Sequence, residues 1–117
     1  MKIHLFDNDP HPELFSPGQH VFRVGDKGDC MFAVTQGAVD IVIAGKTVEI
    51  VEAGGIFGEM ALVEDKPRVA TAEVRSETKL VRIDRRRFTF LVQQTPFFAL
   101  QVMGIMAERL RRMDEKL

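Results

Sequence analysis

The stretch GGIFGEMALVEDKPRVATAEV, residues 54–74, sets an acid and an arginine nine positions apart in a half-apolar segment. A glycine turn comes first, and Gly58 allows positive φ and close backbone approach just before Glu59. EMALV is a short helix-compatible run, and a helix N-terminus beneath a glycine turn is a natural anion site. Arg68 can give the same anion a charge-assisted, bidentate contact. Val69, Ala70, Thr71 and Ala72 are small, so a ligand can lie close to the backbone. Glu59 is acceptor-only when ionised, so it suits hydroxyl donors rather than phosphate. An anion beside sugar hydroxyls describes a nucleotide-like ligand.

The segments on either side define the frame. From about residue 20, β-rich runs alternate with glycine turns: HVFRV, CMFAVTQ, GAVDIVIA, GKTVEIVEA, then VATAEVRS and TKLVRID. Val39, Ile41 and Ile43 share one face at period two. The turn spacing predicts an antiparallel sandwich or barrel. Residues 1–19 are expected to be irregular or weakly helical, because Pro10, Pro12 and Pro17 punctuate them. RRRFTFLVQQ reads as a short helix with Phe88 and Leu91 on one side, and a long helix follows, with Thr95 as N-cap and Pro96 in its first turn. Ala99, Met103, Met106, Leu110, Met113 and Leu117 form a heptad seam on it, and Phe98, Val102 and Ile105 a second apolar face. One face would pack on the β part; the seam would meet a partner helix, making a homodimer, or serve only as a core face.

Composition narrows the function. The chain has 117 residues, 45% hydrophobic, which suits one domain over 1–117. The expected division is a β-roll over about 20–84 and helices over about 85–117. A net charge of −1 argues against a dominant nucleic-acid surface. Cys30 is alone, which excludes an internal disulfide or a multi-cysteine metal site and fits a cytoplasmic setting. No apolar run approaches membrane-spanning length, and the first residues are too polar for a signal peptide. His4, His11 and His20 fit no zinc spacing. GGIFG lacks the Lys-Ser/Thr of a P-loop, and no nucleophile–base pair stands out, so neither a metal, a resident cofactor nor catalysis is expected. The basic run at 84–87 reads as a solvated helix face.

FGEMAL…PRVATAEV resembles the phosphate-binding cassette of the cyclic nucleotide-binding domain family. GDKGDCMFAVTQGAVDIVIAGKTVEIVEAGGIFGE and LVRIDRRRF are similar to that family's strand-and-glycine pattern, exit strand and following helix, so the resemblance spans roughly residues 12–117. It implies an α+β fold: a jelly-roll-like antiparallel β-roll of about eight strands with flanking helices and a long C-terminal helix. It implies that Glu59 accepts from the ribose 2′-hydroxyl and that Arg68 pairs with the cyclic phosphate. Gly58, Met60, Ala61, Val69 and Ala70 would complete the cage, and Val48 and Val51 would line the wall. Val69 departs from the pattern: cAMP binders often carry alanine or serine after the arginine, and many cGMP binders threonine. Valine offers guanine no hydroxyl, which favours cAMP over cGMP.

The function expected is reversible cyclic nucleotide binding, coupled to movement of the C-terminal helix. No helix-turn-helix follows within the sequence, so this chain alone is not expected to read DNA. The rival reading is a ligand-independent dimerisation or docking module, in which Glu59 and Arg68 simply pair to stabilise a vestigial roll.

Overall fold

The computed structural model describes residues 1–115, so the seam residue Leu117 lies outside the described residues. Eight strands follow one another: β1 Glu13–Phe15, β2 His20–Phe22, β3 Cys30–Gln36, β4 Ala38–Ile43, β5 Lys46–Glu52, β6 Ile56–Phe57, β7 Thr71–Val74 and β8 Thr78–Asp84. They form two antiparallel sheets, ordered β1-β8-β3-β6 and β2-β7-β4-β5. The chain crosses repeatedly from one sheet to the other, giving the expected β-roll. Helix α1, Arg85–Gln94, and helix α2, Phe97–Glu115, close it.

Strand β3 shows how the roll is held. Cys30 through Val34 are all buried, although strand side chains alternate between faces. Cys30, Phe32 and Val34 face the space between the sheets, with Val39, Val51, Phe57, Ala72 and Leu80. Met31 and Ala33 face the other way, into a second core with Phe98, Val102 and Ile105 of α2. One sheet is thus covered on both sides, and its central strand reads as a continuous apolar run. Each of those three α2 side chains contributes about 1.5–3 kcal/mol through burial.

The second core also takes in the N-terminal segment. Ile3 and Phe6 are each 3% exposed, and the Phe6 ring meets Phe98 edge-on at 5.7 Å. Ile3 N donates to Gly54 O at 2.7 Å, and Arg87 pairs with Asp9 at 2.7 Å. The roll therefore begins at Glu13 rather than near residue 20, and residues 1–19 are turns plus β1. Two isolated apolar residues in a proline-broken segment carry no periodicity, so this burial leaves no pattern to read.

Helix α1 has the predicted bounds. Its N-cap is Asp84, whose carboxylate accepts from Arg87 N at 2.8 Å. The expected N-cap role of Thr95 takes another form: its N–H closes α1 on Leu91 O at 2.7 Å, and its carbonyl accepts from Phe98 N at 2.9 Å. The run at 84–87 is only partly a solvated face, since Arg85 also donates to Leu62 O at 3.1 Å.

Candidate functional site

Strand β6 ends at Phe57, Gly58 adopts φ 77°, and a four-residue 3-10 helix, Glu59–Leu62, follows at once. So short a helix aligns few peptide dipoles, and the N-terminal field expected from EMALV is correspondingly small. The positive charge here is supplied by Arg68.

Arg68 is positioned through its backbone and its side chain together. Its N–H donates to Asp26 O at 2.8 Å, and its carbonyl accepts from Gly25 N at 2.8 Å. The side chain then runs inward and is 9% exposed. Nη1 donates to Gly58 O at 2.9 Å and Nη2 to Cys30 O at 2.7 Å. The guanidinium lies 4.0 Å over the Phe22 ring. Gly28 leaves room for it: a Cβ there would stand 2.4 Å from Nε. Nε is buried without a hydrogen-bond partner, and the group pairs with no carboxylate among the described residues. Burial pulls its pKa below that of an ordinary arginine, with Cys30 and Asp29 opposing the shift. It remains a cation, and a buried cation lacking a counter-charge favours an anion beside it.

Glu59 is held from another quarter. Arg109, on α2, donates through Nη1 to Glu59 Oε1, through Nη2 to Ile56 O, and through Nε to both oxygens of Glu49 at 2.9 and 3.1 Å. Glu59 is 11% exposed at the side chain. The pairing of Glu59 with Arg68 on which the vestigial reading rests is absent.

Gly58, Glu59, Met60, Ala61, Arg68, Val69 and Ala70 line one cavity of about 530 Å³. Its walls are mostly apolar: Phe22, Ile41 and Ile43 come from the roll, and Met106, Leu110 and Met113 from α2. Part of the seam predicted for a partner helix is therefore a wall of the cavity. Val69 is at the rim, 75% exposed.

Val48 and Val51 are not part of this wall. Ile41 pairs with Glu49 while Val42 pairs with Thr47, so Val48 is the extra residue of a β-bulge and lies 46% exposed. Val51 points between the sheets and is 3% exposed. Glu49 takes the place on the cavity wall that Val48 was expected to fill.

Sequence reasoning missed Arg109 and Glu49. Arg109 did leave a signal: Phe98, Val102 and Ile105 are buried at spacings of four and three, and Arg109 continues the series four residues on. A charge at the next place on a buried stripe calls for a buried partner. Glu49 was legible from alternation, since it stands two residues before the inward Val51 and shares its face.

A β-roll with a buried, unneutralised arginine and a small-molecule cavity closed by a helix is the architecture of a ligand-binding module for an organic anion. Residues 12–95 match the model for the cyclic nucleotide-binding domain, and the chain belongs to that family. It is 36% identical over 84 residues to the cAMP-dependent protein kinase regulatory subunit of Eremothecium gossypii, covering 72% of this chain and 18% of that protein. The crystal structure of Thermus thermophilus Catabolite Activator Protein is similar at a TM-score of 0.79 and 28% identity, over 91% of this chain and 52% of that one. The structure of cAMP bound PfPKA-R (141-441) has the same fold, at a TM-score of 0.68 and 24% identity over 83% of this chain and 35% of that one. The chain thus spans less than two thirds of each of these proteins. No single helix is long and apolar enough to cross a membrane among the described residues.

Proposed function

We propose that this domain is a sensor that binds cAMP in preference to cGMP and links occupancy to the position of α2. The observation that carries the reading is the state of Arg68. It is nine-tenths buried, has an unpartnered Nε, and stands beside a cavity that also holds Glu59. In this reading the cyclic phosphate neutralises Arg68. The ribose 2′-hydroxyl donates to Glu59, whose charge Arg109 already compensates, so the acid does not repel the phosphate. The base lies against the apolar wall of Ile41, Leu110 and Met113. Since Arg109 belongs to α2, a ligand that engages Glu59 acts on the helix through one shared side chain. Such coupling requires the ligand to prefer one helix position over another. The relative in Eremothecium gossypii is named for cAMP dependence, which supports the choice of nucleotide. A cytoplasmic setting goes with this reading.

The preference for cAMP rests on Val69, which has no hydroxyl to offer guanine. One missing hydrogen bond is worth about 0.5–1.5 kcal/mol, so the preference should be about tenfold or less. Isothermal titration of the chain with cAMP and with cGMP tests the reading, and Val69→Thr should move the ratio toward cGMP. Saturable binding that is tighter for cAMP is the expected result. Absence of heat with both nucleotides would return the domain to a ligand-independent module. For that alternative the supporting observation is the exposure of Phe97, Leu100 and Met103 on α2, at 61%, 57% and 54%.

A further inference from the structure

Arg109 has two carboxylate partners, and the ligand reading uses only Glu59. Glu49, on the neighbouring sheet, takes Nε of Arg109 on both oxygens. Both side chains are 19% exposed. The pair also borders a second, smaller hollow of about 160 Å³, which includes Lys2, Gly55 and Ile105, so it forms the partition between the two spaces. A carboxylate on the inner side of a strand loses hydration and needs a cation in return. That cation comes from a helix 60 positions further along the chain. Glu59 alone would neutralise Arg109. A second acid therefore does something the first does not. It holds Arg109 whether or not Glu59 is occupied by a hydroxyl.

We propose that Glu49 is a positioning residue that biases the resting place of α2 toward the roll in the free chain, by holding Arg109 independently of Glu59. Arg109 is then anchored on β5 by one acid and shares the other with the ligand. Only the ligand-bound half of this proposal rests on the cavity being a cyclic nucleotide site. Apparent affinity falls in proportion to the fraction of molecules in the competent state, so a resting bias toward the closed helix raises affinity. Removing Glu49 lowers that fraction and leaves more of the closure for the ligand to drive.

Hydrogen exchange of the free chain reads the first half directly. Glu49→Gln should speed exchange of α2 amides beyond Ile105 by about tenfold, leaving β3 and β8 as in the parent. Glu52→Gln, an exposed acid on the same strand, is the control and should match the parent. In an Arg109→Gln background, Glu49→Gln should add nothing, since both changes remove the same contact. With cAMP, the Glu49→Gln helix should regain the parent's protection, and the Kd should rise by no more than the factor seen in exchange. Equal α2 exchange in Glu49→Gln and parent, acceleration that spreads to β3 and β8, or full additivity with Arg109→Gln would each overturn the proposal. The free-chain arm needs no ligand, so a failure of cAMP to bind would remove the functional reading and leave the role of Glu49 standing on its own result.

Discussion

Glu59 is bound by Arg109 from the C-terminal helix, while Arg68, only nine residues from Glu59 in sequence, turns away to the carbonyls of Gly58 and Cys30. The two charges that look like a pair in the sequence are thus kept apart. One is neutralised by the helix, and the other has no counter-charge among the described residues.

Arg68→Ala should cost cAMP binding about 2–5 kcal/mol, which is roughly 30- to several-thousand-fold in Kd. Arg68→Lys should recover only part of the loss, because an ammonium cannot reproduce the planar fork or lie over Phe22 in the same way. Titration calorimetry gives the number. An Arg68→Ala protein that binds as tightly as the parent would show that the anion site lies elsewhere.

Glu59 should read the sugar. The parent should bind the 2′-deoxy cyclic nucleotide more weakly than cAMP by about 1–3 kcal/mol, the cost of leaving a buried acceptor unmatched. Glu59→Ala should erase most of that difference while also releasing Arg109 on one side. Equal affinity of the parent for both nucleotides, measured by competition, would remove Glu59 from this role.

The outer stripe of α2 predicts self-association. Met103 is 54% exposed and does not border the cavity, whereas Leu110 and Met113 do. Met103→Glu therefore places a charge in the stripe without touching the ligand site. With Met106, Leu110 and Met113 on the cavity wall, the contact left to a partner helix is short and weak, so the parent should associate only as concentration rises. Met103→Glu should stay monomeric and bind cAMP as the parent does. Sedimentation velocity over a dilution series decides this, and a parent that remains monomeric throughout would leave the stripe without a partner helix.

Gly37 joins β3 to β4 at φ 90°, and a Cβ there would stand 2.3 Å from Glu77 O and 2.8 Å from Thr78 Cα. Both are backbone atoms and cannot swing aside. Gly37→Ala should therefore destabilise the roll by about 2–4 kcal/mol, combining left-handed strain with the clash. Thermal unfolding should show a Tm lower by on the order of 10 °C. An unchanged Tm would mean that the turn can relax in a way its contacts do not suggest.

Local chemistry was enough to place most of the architecture. Period-two alternation and glycine turns marked β2 to β5, β7 and β8, though not the two-residue β6, and the change of period after Asp84 marked both helices. Those signals are local, because each depends on residues a few positions apart. The same holds for the cassette, where glycine, acid, arginine and small residues stand within one short segment. What the sequence left undecided lies in contacts between distant segments. Ile3 and Phe6 join the core beneath α2 without any periodicity to announce them. Glu49 shares the inner face of Val51 by alternation, but its partner Arg109 comes from α2, 60 positions along the chain. Met106, Leu110 and Met113 became a cavity wall, although their spacing equally suits a helix partner. Whether Glu59 would meet Arg68 or Arg109 was likewise undetermined by spacing. Proximity along the chain favoured Arg68, but burial of the Phe98, Val102 and Ile105 stripe rotates α2 so that Arg109 reaches Glu59 first.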